Sequence, residues 1–112
     1  MVDLPFSTQK RLAVLDLRNR LERIAIQQFE ASCDQGSLGY DNKIRNRLSF
    51  VLVTCREKAG AAELHGLVRL GRHVYARTSD VLHGRSSMVN VPDVMLSEWT
   101  TTVETLEQLV AS

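Results

Sequence analysis

The sequence predicts an all-α protein, an up-and-down four-helix bundle that forms one domain over residues 1–112. Two observations predict this fold: apolar residues recur at the helical period in four long segments, and three short breaks with Gly or Pro separate those segments. A chain of 112 residues is the size of one domain and can bury roughly two thirds of its unfolded surface. Because the connections are short, consecutive helices are expected to lie antiparallel.

The first helix is expected from about Ser7, a residue type that caps helix N-termini, to Cys33. Its apolar residues recur at steps of three and four, the spacing of one helical face. These residues are Val14, Leu17, Leu21 and Ile24. The stretch 34–39 contains two glycines and is predicted to be a loop.

The second helix is expected to follow Asp41, which can cap it. Its apolar positions are Ile44, Leu48, Val51, Leu52 and Cys55. The run 50–53 has a composition that also suits a strand, but Arg and Lys flank it at helical spacing and no turn signal adjoins it. A helix is therefore predicted there.

The third helix is expected to follow a tight turn at Gly60 and to end at Gly84, the position that glycine favours after a helix C-terminus. Gly66 and Gly71 lie inside it, where each costs about 1 kcal/mol relative to Ala. Such a cost is expected where another helix, either internal or from a dimer partner, approaches closely. The predicted buried face comprises Leu64, Leu67, Val68, Val74, Tyr75, Val81 and Leu82.

The fourth helix is expected after a loop over residues 85–91. Pro92 suits its first turn, and Asp93 adds negative charge where the helix dipole favours it. Trp99 is predicted to be a core or interface residue rather than a platform for base stacking. The other residues of its predicted apolar side are Val94, Met95, Val103, Leu106 and Val110.

Composition and charge limit the possible function classes. Apolar residues make up 44% and charged residues 24% of the chain, and no apolar run approaches the ~20 residues of a membrane span. The amino terminus has no signal-peptide pattern, and Cys33 and Cys55 lack metal-binding spacing, so a cytoplasmic protein with reduced thiols is expected. Residues 43–85 carry nine basic and three acidic groups, whereas residues 86–112 carry four acidic and no basic groups. A central cationic segment is compatible with contact with phosphate, but on charge alone solvated helix faces are the favoured interpretation.

Several catalytic classes lack support in the sequence. His65, His73 and His83 lie eight and ten residues apart on one helix, so they converge neither with each other nor with a cysteine, and no metal or cofactor is predicted. His65 and His73 are interpreted as surface residues. The sequence contains no glycine-rich phosphate loop and no nucleophile-elbow serine, so nucleotide hydrolases and esterases are not indicated.

The end of the third helix holds the residues best suited to chemistry. Arg77, Asp80 and His83 follow one another at steps of three, a spacing that brings side chains together on a helix. Asp80 can therefore bridge the other two, orient the imidazole and raise its basicity. An Arg nearby can bind a phosphate through two parallel hydrogen bonds. This set suits RNA cleavage, because RNA supplies its own 2′-hydroxyl nucleophile and no metal is required.

The spacing of Arg77 and His83 indicates a site shared by two chains. His83 lies six positions after Arg77, so on a helix the two side chains are roughly 120° apart in rotation and about 9 Å apart along the axis. One chain would hold them apart, whereas two copies packed about a two-fold axis could bring both pairs into one cleft. A homodimer is therefore expected.

Arg77 and His83, with five residues between them near the end of a late helix and followed by Gly84, resemble the HEPN superfamily of small helical ribonuclease domains. The helix order and the segment 92–109, with Trp99 and Glu104, are also similar to that superfamily. The resemblance implies a metal-independent endoribonuclease in which His83 is the general acid or base and Arg77 binds the scissile phosphate. It further implies a 2′,3′-cyclic phosphate product and a role as a toxin or antiviral-defence effector, with a cognate antitoxin or defence-system protein as partner.

Arg45, Arg47, Arg72 and Arg85 are candidate RNA contacts. The structural alternative is that His83 is an ordinary helix-end residue and that Arg77 and Asp80 form a surface ion pair. The leading functional alternative is a non-catalytic helical protein-interaction module, and a DNA-binding protein is less favoured because no short recognition helix is predicted.

Overall fold

The computed structural model describes residues 6–33, 48–83 and 91–112, which are almost entirely helical. Helix α1 spans Phe6–Cys33, the short 3₁₀ helix η1 spans Leu48–Phe50 and continues into α2 (Val51–Thr54), α3 spans Ala61–Leu82, and α4 spans Asp93–Ala111. No strand occurs within these three segments. The predicted all-α fold class is therefore confirmed, and the packing is consistent with a four-helix bundle.

Helix α1 is the central element, because it packs against α3, against α4 and against the η1–α2 segment. All four residues of its predicted apolar face are buried, and Val14 and Leu21 are fully inaccessible to solvent. The core that surrounds α1 also includes Leu48, Val51, Cys55, Leu64, Val68, Val74, Val81, Val91, Trp99, Val103 and Leu106. Helical periodicity thus identified most of the core correctly.

The segment before α3 is helical where a strand was the alternative. Leu48, Val51 and Cys55 are buried at the spacing expected of one helical face. The chain then turns, with the Lys58 amide donating to the Cys55 carbonyl at 2.9 Å. Gly60 has extended backbone and directly precedes α3, so the turn lies earlier than predicted. The expectations for the 34–39 loop, Asp41, Ile44 and Gly84 fall outside the described residues.

A polar cluster joins α1 to the C-terminal half of α3. The Arg18 guanidinium lies 4.4 Å from the centre of the Tyr75 ring and donates to the Ser79 hydroxyl. The Tyr75 hydroxyl donates to Glu22 at 3.1 Å, and Arg18 pairs with the same carboxylate at 3.2 Å. Burial raises the pKa of Tyr75. These contacts fix which side of α3 faces α1.

A second polar cluster joins α1 to α4. The Nε of Arg20 donates to Glu107 at 2.9 Å, and its Nη2 binds the other oxygen of that carboxylate. Near the opposite end, Lys10 donates to the Val91 carbonyl at 2.6 Å and pairs with Asp93 at 3.0 Å. The two-point pairing between the Arg20 guanidinium and the Glu107 carboxylate is directional. The start and the end of α4 are therefore both anchored on α1.

The Arg20–Glu107 pair predicts a measurable pH dependence of stability. Hydrogen bonding from Arg20 lowers the pKa of Glu107, so the pair stabilises the fold above the unfolded-state pKa of about 4.3 and loses its effect as pH falls below it. Because the Glu107 side chain is 34% exposed, we expect Glu107→Gln to cost at most about 1 kcal/mol at pH 7. Urea unfolding of wild type and variant should show this difference shrinking in acid. A matched Glu104→Gln change on the exposed side of α4 should have no such effect, and a Glu107→Gln cost independent of pH would contradict the assignment.

Gly71 lies where α3 and α4 approach each other closely. A Cβ atom placed there would lie 2.8 Å from Cδ1 of Leu106, whose side chain is fully buried. The expectation that a helix comes close to a glycine of α3 is thus confirmed at Gly71. At Gly66 nothing in the described part of the chain lies within 4 Å of such an atom, so no described helix of this chain approaches there, and the approach of a dimer partner stays a prediction.

One predicted core residue of α4 lies on the wrong side of the helix. Val94 is 72% exposed, contrary to its assignment to the apolar face. Trp99, which is buried, lies five positions after Val94, so the two side chains are roughly 140° apart around the helix. Trp99 itself is buried, as predicted. Among the described helices, none combines the length and the apolar character required to cross a bilayer.

Candidate functional site

Arg77 lies in an open groove between α3 and α4. Tyr75 and Ser79 hold one side of α3 against α1, and Arg77 is rotated roughly 200° from Tyr75. It therefore points to the other side, where α4 packs. The groove encloses about 350 Å³ and is lined by Leu70, His73, Val74, Arg77, Met95, Glu98, Trp99 and Thr102.

The predicted contact between Arg77 and Asp80 is present. Nη1 of Arg77 lies 3.7 Å from Oδ2 of Asp80, and the two side chains are 34% and 36% exposed. At this distance and exposure the ion pair contributes less than about 1 kcal/mol to stability. Its geometric consequence is more important, because Asp80 limits the orientations of a guanidinium that remains accessible to solvent.

His83 is placed at the end of α3, away from the groove. It is the residue that follows the last helical turn, its amide donates to the Ser79 carbonyl at 2.9 Å, and its side chain is exposed. Asp80 pairs with Arg77, whereas between the described side chains of Asp80 and His83 there is no hydrogen bond or ion pair. The interpretation of Asp80 as a bridge therefore holds on the Arg77 side alone.

Arg72 is the one predicted RNA contact within the described residues, and it does not lie beside Arg77. Arg72 is half-buried and lies five residues before Arg77, which rotates it by roughly 140° onto a different side of α3. Its Nε is buried without a hydrogen-bond partner among the described residues. Arg45, Arg47 and Arg85 lie outside the described part of the chain.

His73 is the residue that sequence reasoning missed. It is exposed, as predicted, but it lines the same groove as Arg77. The two residues are four apart on α3, so their side chains lie one turn apart on one face. The spacing was visible in the sequence, although it has the histidine before the arginine rather than after it. The groove therefore holds an imidazole and a guanidinium from a single chain.

The α4 wall of the groove has a different character. Glu98 is exposed and faces the α3 wall across the groove, while Trp99 and Val74 are buried side chains at its floor. An adjoining hollow of about 350 Å³ shares Leu70, Glu98 and Thr102 with the groove and extends it to Ser97 and Thr101. The groove thus presents basic groups on α3, a carboxylate and hydroxyls on α4, and apolar surface between them.

The described histidine, cysteine and acidic side chains include no group of three or more placed to hold a metal ion. No model of a known protein family matches the chain. Neither a curated protein nor a solved structure is significantly similar to it.

Proposed function

We propose that this protein is a metal-independent endoribonuclease of the HEPN type that cleaves RNA as a homodimer. The observation that carries the proposal is the placement of Arg77: its guanidinium is oriented by Asp80, remains accessible, and lines an open groove. A surface ion pair alone needs no groove beside it. A phosphate-binding arginine needs such a groove, because the phosphate must reach both parallel donors of the guanidinium.

In the proposed reaction Arg77 binds the scissile phosphate and stabilises the negative charge that builds up on it. His83 accepts the proton of the 2′-hydroxyl or donates a proton to the departing 5′-oxygen, and solvent water takes part in the other proton transfer. The 2′-oxygen forms a bond to phosphorus as the bond to the 5′-oxygen breaks. The products are a 2′,3′-cyclic phosphate and a 5′-hydroxyl end. Asp80 is a positioning residue that acts through Arg77.

The need for a second copy of the chain follows from the distance between Arg77 and His83 within one chain. Within one chain, His83 is rotated roughly 120° from Arg77 and displaced about 9 Å along α3, and its side chain extends into solvent. A two-fold arrangement of exposed helix ends can place the imidazole of one copy beside the guanidinium of the other. The proposed biological setting is a cytoplasmic toxin or antiviral-defence effector, restrained by an antitoxin or another protein of the same defence system.

The test is incubation of the purified protein with total RNA in the presence of excess EDTA. We expect cleavage to continue in the chelator and to leave 2′,3′-cyclic phosphate ends, detected by end-specific ligation. An oligonucleotide of the same sequence with 2′-deoxyribose should remain intact because it lacks the nucleophile. RNA that stays intact with and without divalent metal would refute the proposal.

A protein-interaction module is the second candidate, and exposed apolar residues on α1 favour it. Leu12, Leu15 and Ile26 are 51%, 42% and 39% exposed and lie within roughly 60° of one another around the helix. Such a stripe is typical of a surface that another protein covers. This function predicts a stable complex with a partner protein and no effect on RNA, so the same incubation separates the two candidates.

A further inference from the structure

The groove between α3 and α4 has features that the proposed cleavage reaction does not by itself require. Cleavage needs a cation at the phosphate and proton-transfer groups, which Arg77 and His83 supply. The groove also contains His73 one turn before Arg77, and it presents Glu98 on the opposite wall. These groups are combined with a volume of about 350 Å³, which falls in the range of small-ligand sites.

The α3 wall is suited to an anion. A guanidinium offers two parallel donors to phosphate oxygens, and an imidazole one helical turn away can donate to a third oxygen. Asp80 pairs with Arg77 at 3.7 Å and orients the guanidinium beside the groove. Of the described acidic side chains, only Glu98 lines the groove itself, and it belongs to the opposite wall.

The α4 wall and the floor are suited to a base. The Glu98 carboxylate can accept hydrogen bonds from an amine such as N4 of cytosine. Leu70 is 53% exposed beside it, and Met95 and Val74 continue the apolar surface toward Trp99. A planar ring placed there would cover an exposed apolar side chain while its amine faces a carboxylate.

We infer that this groove is a nucleotide subsite, in which Arg77 and His73 hold the 3′-phosphate and Glu98 contacts the exocyclic amine of the base. The choice of a nucleotide among phosphate esters rests on the proposed function. The binding groups come from one chain, so the subsite is complete in each copy and requires no second copy to bind its ligand.

The experiment is a titration of the wild-type protein with cytidine 3′-monophosphate, followed by tryptophan emission and in parallel by calorimetry. Trp99 is the single tryptophan of the chain and lines the groove, so its emission reports occupancy. We expect Arg77→Ala to weaken binding at least about tenfold and His73→Ala about three- to tenfold. The matched controls Arg69→Ala and His65→Ala change exposed residues of α3 that do not line the groove and should leave the affinity unchanged.

Two further ligands test the orientation. Cytidine without its phosphate should bind at least about tenfold more weakly than the nucleotide. Uridine 3′-monophosphate lacks the exocyclic amine and should bind more weakly to the wild-type protein, and Glu98→Gln should abolish that preference. Equal binding of both pyrimidine nucleotides by the wild-type protein would refute the role of Glu98.

The outcomes separate this inference from the proposed function. If cytidine 3′-monophosphate does not bind, or if Arg77→Ala and His73→Ala bind it as well as the wild type does, the subsite is refuted even where RNA is cleaved. If the nucleotide binds as expected and RNA remains intact, the subsite stands and the endoribonuclease proposal fails. Circular dichroism of each variant shows whether a loss of binding comes from unfolding instead.

Discussion

Substitution of Arg77 or His83 by alanine is expected to reduce RNA cleavage by roughly 10²- to 10⁴-fold, the range associated with loss of a proton-transfer group or of a key stabiliser of developing charge. Both side chains are accessible to solvent, so neither change creates a cavity in the core. Helical content and dimerisation should therefore match the wild type. Cleavage rates under single-turnover conditions, circular dichroism and sedimentation are the measurements.

Mixing the two inactive variants tests whether the site is shared. A dimer of one Arg77→Ala chain and one His83→Ala chain still has one arginine and one histidine, supplied by different copies. If the site combines residues of two chains, exchange of subunits restores part of the activity. If both residues act within one chain, each chain remains inactive and the mixture cleaves nothing. Full cleavage by either variant alone would end the proposal.

Leu106→Ala is expected to destabilise the fold by about 2 to 5 kcal/mol. Leu106 is 1% exposed and packs where α4 meets Gly71 of α3. Removing its isobutyl group forfeits apolar burial and leaves a cavity between two helices that anchored contacts hold in place. The control is Leu12→Ala, which changes a half-exposed leucine of α1 and should cost much less. Chemical denaturation at fixed pH provides the measurement.

A double variant tests the contact between the two helices directly. Gly71→Ala places a methyl group 2.8 Å from Leu106 Cδ1, so we expect overpacking to offset the helix-propensity gain of about 1 kcal/mol. In the Leu106→Ala background the same methyl enters vacated space and should stabilise the protein. The two changes are therefore expected to be non-additive by more than about 0.5 kcal/mol. Strict additivity would show that α3 and α4 do not meet at this point.

The polar cluster around Arg18 helps to explain which residues of α3 line the groove. Arg18 binds both Tyr75 and Ser79 on one flank of α3, and Leu70 and Val74 on the other flank line the groove against α4. The rotation of α3 about its axis is thus determined from two sides. His73 and Arg77 occupy the edge that faces α4, whereas His83 occupies a different edge. A change in this cluster is expected to alter the groove without touching its lining residues.

Some features of the candidate site were predictable from local spacing. The pairing of Arg77 with Asp80 follows from a separation of three residues, which depends on helix geometry alone. The separation of Arg77 from His83 within one chain follows in the same way. The separation of four residues between His73 and Arg77 is equally local, but the HEPN-type pattern has the arginine before the histidine and therefore does not include this pair. The exposure of Val94 was also readable from its rotation relative to Trp99.

Other features had no local signal. Val91 is 1% exposed and accepts a hydrogen bond from Lys10, which lies 81 residues earlier in the chain. A sequence pattern labels such a residue as part of a loop, because nothing in its neighbours indicates burial. Glu98 likewise reads as one more acidic residue of an acidic segment until α4 is placed beside α3.

The sequence by itself determined the helical class, the extents of α1, α3 and α4, and most of the buried face of each helix, because these depend on the regular turn of the chain and on the preference of apolar side chains for burial. Only the tertiary structure decided that His73, Arg77 and Glu98 share one groove and that Asp80 is turned toward Arg77 rather than His83. The first of these depends on how α3 and α4 are rotated against each other, and contacts between residues distant in sequence set that rotation. The second depends on the end of α3, where the regular helix stops.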